Sequence, residues 1–292
     1  FNFFFLTALP VDAGDISIEA KQTLTVEDSW FTTLSIISTG TAGNILLSAR
    51  DFVSNNSLFS AETGTCDNSP GLIRISVTDS FLLEGGFIST ITGSGFGGSV
   101  FITAEDFTAR NTRIDAQVVG TVDGGEIFIN SSGMVNLQNS ELTASSPRGT
   151  GNGGTVRIYG NAINVADNTE IITFSESEGD AGNIVFHAND KLAIEDSTID
   201  AQSLLSSGGN ITIQAKTFHL RGDADLFSAV ASSGSGGNIH ITADSILAFD
   251  DSDILASSQD GAGGNITLNT RAFFGERYIP GDDSPIEHND RV

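Results

Sequence analysis

The chain has 292 residues, 39% of them apolar, which is enough for a sizeable core, with 33 Gly and 20 Phe set against 5 Pro and 1 Trp. Its 37 Asp+Glu against 13 Lys+Arg leave a net charge of -24, which repels polyanions and so excludes nucleic acid and anionic membrane surfaces first. The single Cys66 rules out an internal disulfide, and no apolar run approaches the roughly 18 residues of a membrane-spanning helix.

Taken from the start, Phe1-Asn2-Phe3-Phe4-Phe5-Leu6-Thr7-Ala8-Leu9 is apolar like the middle of a signal peptide but lacks an initiator Met and a basic start. Residues 1–10 are expected to be a strand left over from a preceding repeat. From residue 11 a G-x-apolar-x-apolar element recurs, on Gly14, Gly43, Gly71, Gly98, Gly125, Gly154, Gly182, Gly209, Gly237 and Gly264, at intervals of 27 to 29 residues. Two and four residues past each glycine both positions are apolar, from Ile16/Ile18 through Ile127/Ile129 to Ile266/Leu268. Period-two alternation filled by β-branched residues predicts a strand with one buried face.

Each repeat continues with a second apolar pair nine to twelve residues past the glycine, as in Leu24/Val26, Phe81/Leu83, Val135/Leu137, Phe218/Leu220 and Leu247/Phe249, with Phe52 and Phe107 fitting in part. A third element follows as Ser-x-apolar-x-Ala, for example Ser57-x-Phe59-x-Ala61, Ser140-x-Leu142-x-Ala144 and Ser252-x-Ile254-x-Ala256. Three short strands parted by Gly, Ser, Asn and Asp turns cannot bury their apolar faces within one unit, so the units must stack. The expected fold is all-β: a right-handed parallel β-helix of about ten coils, three short strands per coil, over residues 11–270. Adjacent coils about 4.8 Å apart would make a rod of about 45 to 50 Å. Beyond it, residues 271–292, beginning around Phe273-Phe274-Gly275, read as an irregular tail or cap.

Two columns of polar side chains follow from stacking. Asn44, Asn183, Asn210, Asn238 and Asn265 share the register just after the repeat glycine and should form an amide ladder along the axis, which outweighs reading Asn210 and Asn265 as glycosylation acceptors. After the second strand, Asp167, Glu195, Asp196, Asp223, Asp250 and Asp251 share another register, with Glu27, Asp28 and Glu84 farther up. Carboxylates about 5 Å apart repel by roughly 0.8 kcal/mol even at the dielectric of water. A solvated acidic edge is the plain expectation, and weak calcium binding along the column is the sharper one.

The Gly-Asn-Ile-x-Ile-x-Ala element, as Gly209-Asn210-Ile211-Thr212-Ile213-Gln214-Ala215 and Gly237-Asn238-Ile239-His240-Ile241-Thr242-Ala243, followed by Ser-x-Ile-x-Ala, resembles the repeat region of filamentous-haemagglutinin-like exoproteins of the cyanobacterial type. The resemblance covers roughly residues 11–275. It implies two-partner secretion through an outer-membrane transporter and a place in the medium or on the outer cell surface. The amino-terminal secretion domain of that family is not found in this sequence, so the chain is expected to be an interior or carboxy-terminal piece of a longer product, or a gene remnant without function.

Chemistry is sparse. A β-helix enzyme acting on polysaccharides would want a basic groove, and the nearest candidates are Arg110 and Arg113 with Asp106 and Asp115, read as exposed ion pairs because Arg113 and Asp115 flank an inward Ile114. His187, His219, His240 and His288 share no column, and Cys66, in a turn-like stretch, has no basic partner in sequence. No catalytic residue, metal ligand or cofactor is assigned. The expected function is a structural or adhesin-like rod, not an enzyme, with a surface glycan or host surface as a possible ligand; a carbohydrate-binding or polysaccharide-cleaving β-helix is the alternative.

Overall fold

A computed structural model describes residues 12–35, 40–67, 70–95, 97–147, 150–176 and 178–275. The described residues contain no helix and form a parallel β-solenoid of about nine turns. Residues 1–10, expected as a leftover strand, lie outside the described residues, as does the tail beyond Gly275.

Sheet one begins one or two residues past each repeat glycine. Ile16 pairs with Ile45, Ile45 with Ile73, and so on through Ile127, Val156, Ile184, Ile211 and Ile239 to Ile266, all in parallel and without slippage. Slipping by one residue would turn this entire column out to water, so the apolar alternation fixes the register. Sheet two stacks Leu24, Phe52, Phe81, Phe107, Val135, Ile163, Leu192, Phe218, Ile246 and Phe273. Sheet three stacks Phe31, Phe59, Ile88, Ile114, Leu142, Ile171, Ile199, Leu226 and Ile254. These columns meet in one continuous core. Each fully buried Ile, Leu or Phe in it contributes roughly 1.5–3 kcal/mol before conformational entropy is set against it.

Aromatic stacking thickens the core in the early coils: Phe52 lies 4.7 Å from Phe81 with rings nearly parallel, and Phe31 lies 5.2 Å from Phe59. Phe52 and Phe107 are therefore full members of the column. The sequence obscures them because their second partners are the small residues Ser54 and Ala109, both buried.

Four expectations need correction. In the coil opened by Gly237 the inward pair is Ile246 and Ala248, one residue earlier than Leu247/Phe249; pairing with Phe218 and Leu220 decides the register. The strands are also less separate than three per coil implies. Sheets one and two run into each other without a break in Thr155–Ala166, Asn183–Glu195, Ile211–Arg221, Ile239–Ala248 and Ile266–Gly275, and sheets two and three do so in Asp51–Asp67 and Ser80–Ser89. Pairing continues past residue 270, with Phe273 against Ile246 and Gly275 against Ala248, so the start of the supposed tail is ladder. Finally, a fourth column of single-residue bridges, Ser146, Ser175, Ser203, Val230 and Ser258, lies between sheet three and the next repeat glycine.

That fourth column stands on a loop that each coil from Gly125 onward closes upon itself. The N–H of Gly209 donates to the carbonyl of Ala201 at 2.9 Å, and Gly125, Gly154, Gly182, Gly237 and Gly264 repeat the bond to Ala116, Ala144, Thr173, Ser228 and Ala256. Glycine is required here by space: a Cβ on Gly209 would fall on the carbonyl oxygen of Gly182 in the coil before.

Candidate functional site

The first turn carries the expected amide ladder. Asn210 Nδ2 donates to Asn183 Oδ1 at 3.0 Å, Asn238 Nδ2 to Asn210 Oδ1 at 3.1 Å and Asn265 Nδ2 to Asn238 Oδ1 at 3.1 Å, while each backbone N–H reaches the same oxygen. One carbonyl oxygen thus accepts twice, and the side chains extend the sheet's hydrogen bonding around the corner.

The second turn is built on backbone conformation. Asp28, Asn56, Asn111, Asn139, Asp167, Asn168, Asp196, Asp223, Asp250 and Asp251 all have φ between 45° and 61°, and Gly222 has φ 68°. This left-handed region penalises a Cβ, and Asn, Asp and Gly enter it most readily, so the carboxylate column is first a consequence of turn geometry. Its upper part mixes amides with carboxylates: Asn56 Nδ2 donates to Asp28 Oδ1 at 2.7 Å, Asn111 to Glu84 at 2.9 Å and Asn139 to Asn111 at 2.7 Å. Farther along, Gln138 donates to Asp167 and Arg221 to Asp250, both at 3.0 Å.

Just past this turn stands a hydroxyl ladder that sequence reading took only for part of a strand. Ser140 Oγ donates to the carbonyl of Gln138 at 2.8 Å and accepts the N–H of Thr112 at 3.3 Å, and Ser197 does the same between Glu195 and Thr169. Each buried hydroxyl satisfies the backbone that the turn leaves without a sheet partner.

The column brings Asp167, Glu195, Asp196, Asp223, Asp250 and Asp251 to one edge. Among the described residues, however, no group of three or more His, Cys, Asp or Glu is arranged to hold a metal ion. The calcium expectation therefore finds no ligand set there. A hollow of about 240 Å³ beside the column is lined by Glu170, Asp196, Thr198, Asp223 and Asp225.

Arg113 and Asp115 do pair, Nε to Oδ2 at 2.8 Å, but the pair is not exposed as expected: the Arg113 side chain is 45% accessible and that of Asp115 1%. Asp115 points away from the core yet is enclosed between Ser89 and Thr143 of the adjoining coils, and its Oδ1 has no hydrogen-bond partner. Burial pushes its pKa up to about 6, against the pull of Arg113. Asp200, on the same sheet with Oδ1 also unpartnered, is pushed up to about 6 by burial, and Glu170 adds to the rise. Arg110 joins neither: it bonds Gln138 at 2.8 Å and lies 3.9 Å from Glu84, while Asp106 accepts the N–H of Met134 at 2.7 Å. These residues do not line a basic groove.

Among the histidines, His187 lies on the outer face of sheet one beside Tyr159, ring centres 5.7 Å apart, and His240 contacts Thr242 at 3.2 Å. His219 sits on sheet two with its pKa lowered by burial and by Lys191 and Arg221. His288 is outside the described residues. The backbone of Cys66 belongs to the strand Asp51–Asp67 and not to a turn.

Sequence reading missed an aromatic column on the outer face of sheet one. Phe101 and Phe128 lie 6.0 Å apart, Phe128 and Tyr159 5.4 Å apart with rings nearly perpendicular, and the Arg74 guanidinium sits 5.0 Å from the centre of the Phe101 ring. Its signal was present as outward residues three and five past the repeat glycine. Next to it a hollow of about 520 Å³ is lined by Ser99, Thr121, Asp123, Glu126, Thr155 and Arg157.

Compared with protein-family models, curated proteins and solved structures, the chain finds no match in any of the three. Among the described residues no helix is long and apolar enough to cross a membrane.

Proposed function

We propose that this chain is a rigid, acidic rod segment of a secreted or cell-surface exoprotein of the filamentous-haemagglutinin-like kind, acting as a non-catalytic spacer or adhesin-like display stalk. The observation that carries this reading is the unbroken column from Ile16 to Ile266, in which every coil continues the parallel ladder of the one before. A stack so bonded transmits length along its axis and resists bending. The charge of -24 suits a repetitive strand protein that must stay dispersed outside the cell. Delivery through an outer-membrane partner transporter belongs to the same reading and rests on the repeat motif.

The rod reading makes a dimensional prediction. Duplicating the coil 182–208 should lengthen the particle by about 5 Å in small-angle scattering, leaving its cross-section unchanged. A particle that thickens without lengthening would overturn the rod. Antibody labelling of intact cells tests the location, and release of reducing ends from polysaccharides incubated with the chain would contradict the absence of catalysis.

A further inference from the structure

The outer face of sheet one differs chemically from that of sheet three. Its two outward columns run Ser17, Leu46, Arg74, Phe101, Phe128, Arg157, Val185, Thr212, His240, Thr267 and, two residues on, Glu19, Ser48, Ser76, Thr103, Asn130, Tyr159, His187, Gln214, Thr242, Asn269. In a chain with 37 carboxylates, these twenty positions hold only Glu19, on the first coil. Sheet three, by contrast, turns Glu141, Glu170, Asp225 and Asp253 outward in a single column. Apart from Glu19 and, at the start of its strand, Glu126, this face is covered mainly with hydroxyls and amides, and across five consecutive coils it carries the strip Arg74, Phe101, Phe128, Tyr159 and His187, with Arg74 exposed and the four rings partly buried.

We propose that this face binds a neutral linear polysaccharide laid along the solenoid axis, with one sugar seated in the hollow beside Arg157. Three observations converge on that chemistry. The rings offer apolar surface to the C–H faces of a pyranose, while Thr103, Asn130 and the Glu126–Arg157 ion pair offer donors and acceptors to its hydroxyls. The coil repeat of about 4.8 Å is close to the rise of an extended sugar chain, so successive sugars meet equivalent side chains on successive coils, and the strip is long enough, about 20 Å, for several of them. The occupant is not an anion because Glu126 already offsets Arg157 within the hollow, Asp123 adds a further negative charge to its lining, and the field of the whole chain repels a polyanion. The hollow, about 520 Å³, holds a hexose ring with its water. The proposal does not depend on secretion or on the rod being a stalk, since it needs only the ladder.

The test is titration calorimetry of the full chain with cellohexaose, xylohexaose and mannohexaose, and with hexagalacturonate as the anionic counterpart. At least one neutral hexasaccharide should bind. Phe128→Ala should weaken it by about three- to tenfold, the loss expected for one stacked ring. Thr155→Trp, which fills the hollow, should abolish it, and Glu170→Gln on sheet three should leave it unchanged. Circular dichroism melts of each variant separate lost binding from lost folding; Arg157→Ala, at the rim of the hollow, provides a weakened variant if Phe128→Ala unfolds. Absence of binding to all three neutral sugars, binding of hexagalacturonate alone, or weakening by Glu170→Gln but not by Phe128→Ala overturns the proposal. So does self-association that Phe128→Ala abolishes without any sugar binding, which would assign the face to a second copy. Each of these failures leaves the scattering test of the rod untouched.

Discussion

The two polar turns of the coil stack similar residues and solve opposite problems. At the first turn Asn183, Asn210, Asn238 and Asn265 repeat one amide, and because an amide both donates and accepts, identical neighbours bond one another. At the second turn the left-handed backbone admits Asn and Asp alike, and where Asp accumulates the neighbours share a charge they cannot bond across. The first column is held by its side chains, while the second is held by the backbone and by the buried hydroxyls behind it. A stack of like residues is thus not in itself stabilising. What matters is whether the group is its own complement.

Breaking the first turn at its tightest point should have the largest effect. Gly209→Val places a branched side chain against the carbonyl of Gly182, and we expect a loss of about 3 kcal/mol or more in urea unfolding, with sheet one disrupted on both sides. A Gly209→Val variant as stable as the parent would show that the loop and not the coil sets the spacing.

A half-buried charge on sheet three provides the next test, because Asp200 is largely withdrawn from water whereas the second-turn carboxylates Asp167, Asp196 and Asp223 are exposed to it. Its folded pKa of about 6 lies above the unfolded value of about 3.9. The protonated form therefore favours the fold; this contribution is fully present below the unfolded pKa and is lost as pH rises through about 6. Asp200→Asn should raise stability at pH 7 by about 1 to 2 kcal/mol and flatten the dependence between pH 4 and about 6, followed by thermal melts across that range. Equal gains at pH 4 and pH 7 would refute a titrating origin.

The smallest effects should come from the exposed columns, and here the two turns should respond with opposite signs. Asn210→Ala removes bonds to both neighbours and should cost about 1 kcal/mol at any salt concentration. Asp223→Asn keeps the left-handed residue type while removing a charge, and should stabilise by about 0.5 kcal/mol at low salt and less as salt is added. Melts of both variants over a salt series decide this, and a common sign would erase the distinction.

Much of this was legible in the sequence, and the parts that were not have a shared cause. The repeat glycines and the apolar pairs after them located sheet one, since both its steric and its apolar requirements are written in residue type. The Ile246/Ala248 register was misread because Leu247 and Phe249 are larger and sit one step away; the neighbouring coil's Phe218 and Leu220, which no single coil's pattern includes, decide between them. Asp115 was read correctly as facing outward, but outward does not mean wet where adjoining coils close over a side chain. The acid column was visible as a register and not as a conformation. The aromatic strip on sheet one passed unnoticed because an apolar residue at an outward position looks like noise until its neighbours on successive coils are seen to be aromatic as well.

The bond that the repeat glycines from Gly125 onward make back across their loops, as from Gly209 to Ala201, separates the coil from whatever lies between the two residues. Intervals between these bonded pairs already differ, eight residues for Ala201 to Gly209 and ten for Ala144 to Gly154, while the strands on either side keep their partners. Evolution, or a protein engineer, can therefore graft new sequence at that point on any of these later coils, and a chain built this way can vary what it presents without refolding what presents it.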